Sequence, residues 1–114
     1  MDIPQVIHKH DAETGDMGQQ YLAAGKHVAL RRWQEGVGGY SDERTRDYET
    51  VGYVIDGTLE LELNGESAKL TTGDSWLVPA GAKHRYRIIK PLIAIEATSP
   101  PARFGARDDS VSKK

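Results

Sequence analysis

The stretch Gly73–His84, GDSWLVPAGAKH, decides how this chain is read. An apolar run opened by a glycine meets a proline, a second glycine and then a histidine. Gly73 and Gly81 free the backbone for tight corners, and Pro79, with no N–H to donate, ends ladder pairing. His84 begins a new strand. Because side chains alternate across a strand, Tyr86 and Ile88 follow His84 on one face, predicted to be the inner one. The stretch thus reads as a strand, a rim turn and a second strand that aims an imidazole into an interior.

The same period of two extends outward from it. In TLELELNGE, Leu59, Leu61 and Leu63 face one way, while Thr58, Glu60 and Glu62 face the other. Asn64-Gly65 then predicts a hairpin turn into ESAKLTT, since both residues tolerate the positive φ of such turns. Further upstream, HVALRRWQ sets Val28 and Leu30 on one face, with Ala29 and Trp33 on the other. VGYVIDG, SWLVP, HRYRIIK and LIAIEA supply more strands. Only AETGDMGQQYLAA has room for a helical turn. Six or more short strands separated by turn signals predict an all-β, antiparallel barrel or sandwich.

Composition narrows the function classes. The chain has 114 residues, enough for one domain with a real core. Fifteen basic residues against 17 acidic ones give no electrostatic reason for a nucleic-acid or membrane-surface partner. The absence of cysteine excludes disulfides, thiol catalysis and thiolate metal sites. The first residues, MDIPQVIHKHDAE, lack the basic start and apolar stretch of a signal peptide, and the expectation is a cytoplasmic protein. Residues 1–20 are expected to form an N-terminal arm, 21–98 the barrel and 99–114 a partly disordered surface tail.

These residues carry a resemblance. Gly73, five residues, Pro79, one residue, Gly81, two residues and His84 are similar to the second sequence motif of the cupin superfamily, and YVIDGTLELELNGE resembles the strand pair that closes and follows its first motif. The resemblance implies a small single-domain cupin, a jelly-roll double-stranded β-helix with His84 on its inner wall. An asparagine would be usual at the position of Ile88. The first motif departs further: its framing glycines match Gly38 and Gly57, but counting back from Gly57 puts Thr50 at the usual glutamate ligand and Arg44 and Arg46 at about the two histidine ligands. Glu49 is one place out of register, and a slip of one residue turns a side chain to the opposite face.

Arginine carries no lone pair and stays protonated, so neither Arg44 nor Arg46 can ligate a cation. His84 alone is too few ligands for a tightly held transition metal, and Glu49 and His27 are the weak candidates to complete one. His8 and His10 lie far upstream, where a solvated pair is the ordinary reading. Glu60 and Glu62 read as a solvated face, no Ser-His-acid order supports a hydrolase triad, and GVGG lacks the strand-to-helix context of a phosphate loop. Trp33, Tyr53, Trp76 and Tyr86 are pocket-lining candidates, with core packing the ordinary role for any one of them.

The expected function is therefore metal-free, cofactor-free binding of a small ligand, with anions among the candidates, by Arg44, Arg46, Thr50, Trp76, His84 and Tyr86. The alternative is a metal-dependent enzyme of oxygenase or isomerase type, with a divalent transition metal held by His84 and an irregular ligand set. Whether any reaction is catalysed is left open. Two guanidinium groups two residues apart on one strand repel by about 2.5 kcal/mol at an effective dielectric near 20, so inside a barrel they need an anion. The run SDERTRDYE also reads as a solvated loop whose mixed signs satisfy each other, the more ordinary arrangement. A homodimer is expected, formed by an edge strand or the N-terminal segment and burying residues such as Trp33.

Overall fold

Two long strands build most of the molecule. In the computed structural model, which describes residues 3–15 and 17–102, the elements are β1 (Gln19–Ala24), β2 (Ala29–Glu35), β3 (Glu49–Leu63), β4 (Glu66–Thr71), β5 (Ser75–Val78) and β6 (His84–Ser99). All pairings are antiparallel, in the order β1-β2-β6-β3-β4, with β5 also on β3. None of the described residues is helical. The segment expected to hold a helical turn contributes β1 instead, because its residues pair with β2, Gln19 opposite Trp33 and Tyr21 opposite Arg31.

Sequence punctuation within β3 and β6 bends the strands without ending them. The register of β3 against β6 is irregular between Val54 and Leu59. At that bend Gly57 adopts φ 111°, and a Cβ there would press into the backbone of Pro91 and Leu92. One half of β3 then pairs with the end of β6 and with β5, and the other half pairs with the start of β6 and with β4. Local right-handed twist rises at such bulges, which lets one strand pair serve two walls. The Asn64-Gly65 hairpin forms as expected, with φ of 49° and 86°.

Alternation places the core. Trp33, Val54, Leu59, Leu61, Leu70, Trp76, Val78, Ile88, Leu92 and Ala94 form one buried cluster, and Val28 and Leu30 lie exposed on the other face. Rows of side chains run across the strands on the inner face: Ala29, Thr98, Thr50 and Val78 in one, and Arg31, Glu96, Gly52 and Trp76 in the next. Gly52 is required there because the Trp76 ring occupies the space its side chain would fill. Thr58 faces away from the leucines but is buried, its hydroxyl 3.1 Å from that of Thr71. Tyr53 falls in an outer row and is half-exposed, so it lines no pocket. The expected surface tail packs at its start: Pro101 and Ala102 are buried, with the Ala102 N–H donating to Thr98 Oγ1 at 3.0 Å. Residues 103–114 of that tail lie outside the described residues. Among the described residues no helix is long and apolar enough to cross a membrane.

Candidate ligand-binding site

The segment between β2 and β3 forms the fourth wall of a cavity by pairing irregularly with the free edge of β6. The Arg44 N–H donates to the His84 carbonyl at 2.8 Å and the His84 N–H returns the bond at 2.9 Å. Ser41 N–H donates to the Tyr86 carbonyl at 2.8 Å, while Gly81 N–H donates to the Arg46 carbonyl at the same distance. Outside, Tyr40 clamps the segment down: its hydroxyl donates to Glu60 at 2.8 Å and its ring lies beneath the guanidinium groups of Arg85 and Arg87. These arginines pair in turn with Glu62 and Glu60, each at 2.6 Å. The two glutamates thus hold a surface ladder and take no part in the interior.

From Arg44 onward every second residue faces in, so Arg44, Arg46, Tyr48 and Thr50 descend one wall. The cavity they share with His84, Tyr86, Trp33, Arg31 and Glu96 has a volume of about 350 Å³. The solvated-loop expectation fails here: Arg46 is 5% exposed and Tyr48 2%. The backbone pairing with His84 sets the register that turns Arg46 inward, and sequence periodicity carries no signal for it.

Arg46 is the least satisfied group in this wall. Its Nη2 donates to the Met17 thioether at 3.4 Å, a weak acceptor, and its buried Nη1 has no partner among the described residues. His84 lies nearby with the opposite need. Its Nδ1 is 3.0 Å from the Ala82 carbonyl, which can only accept, so Nδ1 carries the proton and Nε2 keeps its lone pair. Burial holds its pKa below the usual imidazole value; the Ala82 bond opposes this, and the Arg46 charge reinforces it. Burial likewise pushes the Tyr86 hydroxyl up, with the Glu96 charge adding to the effect. Its ring meets Trp33 edge-on at 4.9 Å and His84 at 5.7 Å.

Sequence reasoning missed the ion pair on the far wall. Arg31 and Glu96 sit directly opposite on β2 and β6, with Nε 2.8 Å from Oε1. Arg31 also donates to the Tyr48 hydroxyl at 3.4 Å. Part of the signal was available: Arg31 lies between inward Ala29 and Trp33, and Glu96 between inward Ala94 and Thr98, so period two puts each on the same face as its inward neighbours, while the β2–β6 register sets them opposite each other.

Of the expected ligand-binding residues, the structure brings Arg44, Arg46, Thr50, His84 and Tyr86 to the cavity. Trp76 does not reach it; it packs in the core beneath, its ring edge-on to Tyr86 at 6.4 Å. Trp33 lines the cavity and is buried within the single chain. The weak metal candidates stay apart from His84. Glu49 is exposed on the face opposite Thr50, and His27 is exposed in the β1–β2 turn, its carbonyl accepting from Ser99 Oγ. Among the described residues no three of His, Asp and Glu converge on a metal position. One imidazole flanked by guanidinium groups does not fit a divalent cation.

The curled antiparallel sheet closes around a polar, arginine-bearing cavity and has the architecture of a small β-barrel. The family model for the cupin domain matches residues 32–97, and the chain belongs to the cupin superfamily. Solved structures agree on the fold. KdgF from Halomonas sp. is 23% identical with a TM-score of 0.72 over 86% of this chain and 94% of its own. An RmlC-like cupin from Shewanella frigidimarina is 22% identical with a TM-score of 0.74, covering 86% and 92%. The EutQ protein of Clostridium difficile is 20% identical with a TM-score of 0.66, covering 86% and 75%. No curated protein matches the chain.

Proposed function

We propose that the protein binds a small anionic molecule in the barrel without a metal, with Arg46 as the principal anion contact and Arg44 beside it. The observation that carries this reading is the buried Arg46 Nη1, which has no partner among the described residues. An ionised buried donor left unpaired costs free energy, and an anion in the cavity removes that cost while gaining a charge-assisted hydrogen bond. The neutral His84 offers an acceptor at Nε2 to a hydroxyl or amide of the same ligand, and Trp33 and Tyr86 offer apolar ring edges. A cavity of about 350 Å³ suits a compact metabolite. The metal-dependent oxygenase or isomerase reading has less support, because its candidate ligands Glu49 and His27 lie away from His84.

The test is thermal unfolding with a panel of small carboxylates and phosphates: acetate, malate, citrate, inorganic phosphate and glycerol phosphate. At least one is expected to raise the melting temperature of the unsubstituted chain, with the shift lost in Arg46→Ala and reduced in Arg44→Ala. A panel without effect, or shifts that survive both substitutions, overturns the proposal.

A further inference from the structure

One polar contact in the cavity joins a strong donor to a poor acceptor. The buried Arg46 guanidinium donates from Nη2 to Met17 Sδ at 3.4 Å, and a thioether accepts weakly. Its Nη1 has no partner among the described residues. The chain has two methionines, Met1 and Met17, and no cysteine, so Met17 supplies the sulfur that lines this cavity.

Backbone contacts hold Met17 in place. Its N–H donates to Gln19 Oε1 at 2.8 Å, and the carbonyl of the next residue, Gly18, accepts the Gln34 N–H at 3.0 Å. Gly18 has φ 80°, and a Cβ there would press into the Gln34 carbonyl, so the segment lies tightly against the end of β2. Met17 itself is 36% exposed. A small solute in water can therefore reach this residue, while its sulfur touches a buried cation.

We infer that Met17 is an oxidation site whose sulfoxide occupies Arg46 in place of an anion; the competition with an anion rests on the binding reading above. With a peroxide as oxidant, the sulfur lone pair attacks one peroxide oxygen, the O–O bond breaks and an S–O bond forms. The transferred oxygen gives up its proton and the other leaves as water, so that sulfur is oxidised by two electrons and the peroxide reduced by two. The product is polar where the thioether was apolar, and its oxygen is a strong acceptor. That oxygen stands one bond beyond a sulfur already in contact with Nη2, within reach of both guanidinium nitrogens after a small rotation. Methionine oxidation in a core ordinarily destabilises, because the new oxygen disrupts apolar packing. Here the oxygen meets a buried donor that lacks an acceptor, and the sign is reversed. A free anion must then compete with an acceptor tethered to the same chain, which acts at a high effective concentration.

Calorimetric melting of the full chain before and after hydrogen peroxide treatment tests this, with peptide masses confirming one added oxygen on Met17. The oxidised chain without anion is expected to melt about 4 °C higher, the shift from one hydrogen bond of ordinary net strength in a domain of this size. Met17→Leu, treated identically and still oxidised at Met1, is expected to show no rise, and neither is treated Arg46→Ala. A methionine sulfoxide reductase should return the original melting temperature. Acetate and inorganic phosphate serve as anion probes, and whichever binds the reduced chain is expected to bind the oxidised chain at least about tenfold more weakly. A Met17 that resists peroxide, an oxidised chain of equal or lower melting temperature, or a rise that survives Arg46→Ala overturns the proposal. A rise with undiminished anion binding overturns the competition. A rise when neither anion shifts the reduced chain supports the sulfoxide contact and counts against the anion reading alone.

Discussion

Arg46→Met separates a ligand contact from a structural arginine, because the two roles predict opposite signs. Among the described residues the buried guanidinium has no partner at Nη1, and Nη2 donates to a thioether. A buried donor without an acceptor costs about 1–3 kcal/mol, more when charged, and replacing a poorly compensated buried charge by an apolar side chain of similar length is neutral or stabilising. Methionine keeps the unbranched stem as far as the Nε position and removes the charge, and the Arg46 carbonyl still receives the Gly81 N–H. The unliganded variant is therefore expected to gain about 1–2 kcal/mol, read as a melting temperature higher by about 4–8 °C. The effect of anion runs the other way: at 100 times its dissociation constant a ligand stabilises the unsubstituted chain by about 2.7 kcal/mol, and this shift is expected to vanish in Arg46→Met. Calorimetry of both chains with and without the anion reads all four numbers. An unliganded variant weakened by more than about 2 kcal/mol would mean that Arg46 is satisfied within the fold, and a retained anion shift would place binding elsewhere.

Other substitutions probe the remaining groups. Arg31→Leu strands the Glu96 carboxylate, 3% exposed, and is expected to cost about 3–5 kcal/mol in urea unfolding; adding Glu96→Leu should recover most of that, and a double variant as weak as the single would refute the pairing. For His84, burial keeps the folded-state pKa below 6.5, so the unfolded chain takes up a proton that the folded chain does not. Stability then falls as pH drops from 6.5 toward the folded value, by up to about 1.4 kcal/mol per pH unit, and His84→Gln should flatten that part of the profile; an unchanged profile counts against the buried neutral imidazole. Gly57→Ala drives a methyl group into the Pro91 and Leu92 backbone at φ 111° and should cost about 3 kcal/mol or more, while Gly65→Ala, with open space around it, should cost about 1–2 kcal/mol. Equal losses at the two glycines would show that the bend at Gly57 is not tightly packed.

Much of the fold was written in local signals. Period-two alternation grouped Leu59 with Leu61 and put Ile88 on the inward face of its strand, and Gly73, Pro79, Gly81 and His84 marked the rim and the inward imidazole. The Asn64-Gly65 turn is legible because positive φ is a property of the residues themselves. Such signals act within a few residues, and so does the strand pleat that makes them. They fail where a nonlocal contact decides. The segment around Arg44 and Arg46 has no apolar alternation, and only its pairing with the edge of β6 at His84 turns Arg46 inward. The same holds for Gly57, which sequence reading took as the end of a strand; packing against Pro91 makes it a bend within one. Trp76 and Tyr53 sit on strands as expected, yet which one reaches core, cavity or solvent depends on how the sheet curls. Alternation tells two faces apart; the closure of the barrel decides which is inside, and the register of β2 against β6 brought Arg31 and Glu96, 65 residues apart in sequence, within a hydrogen bond of each other.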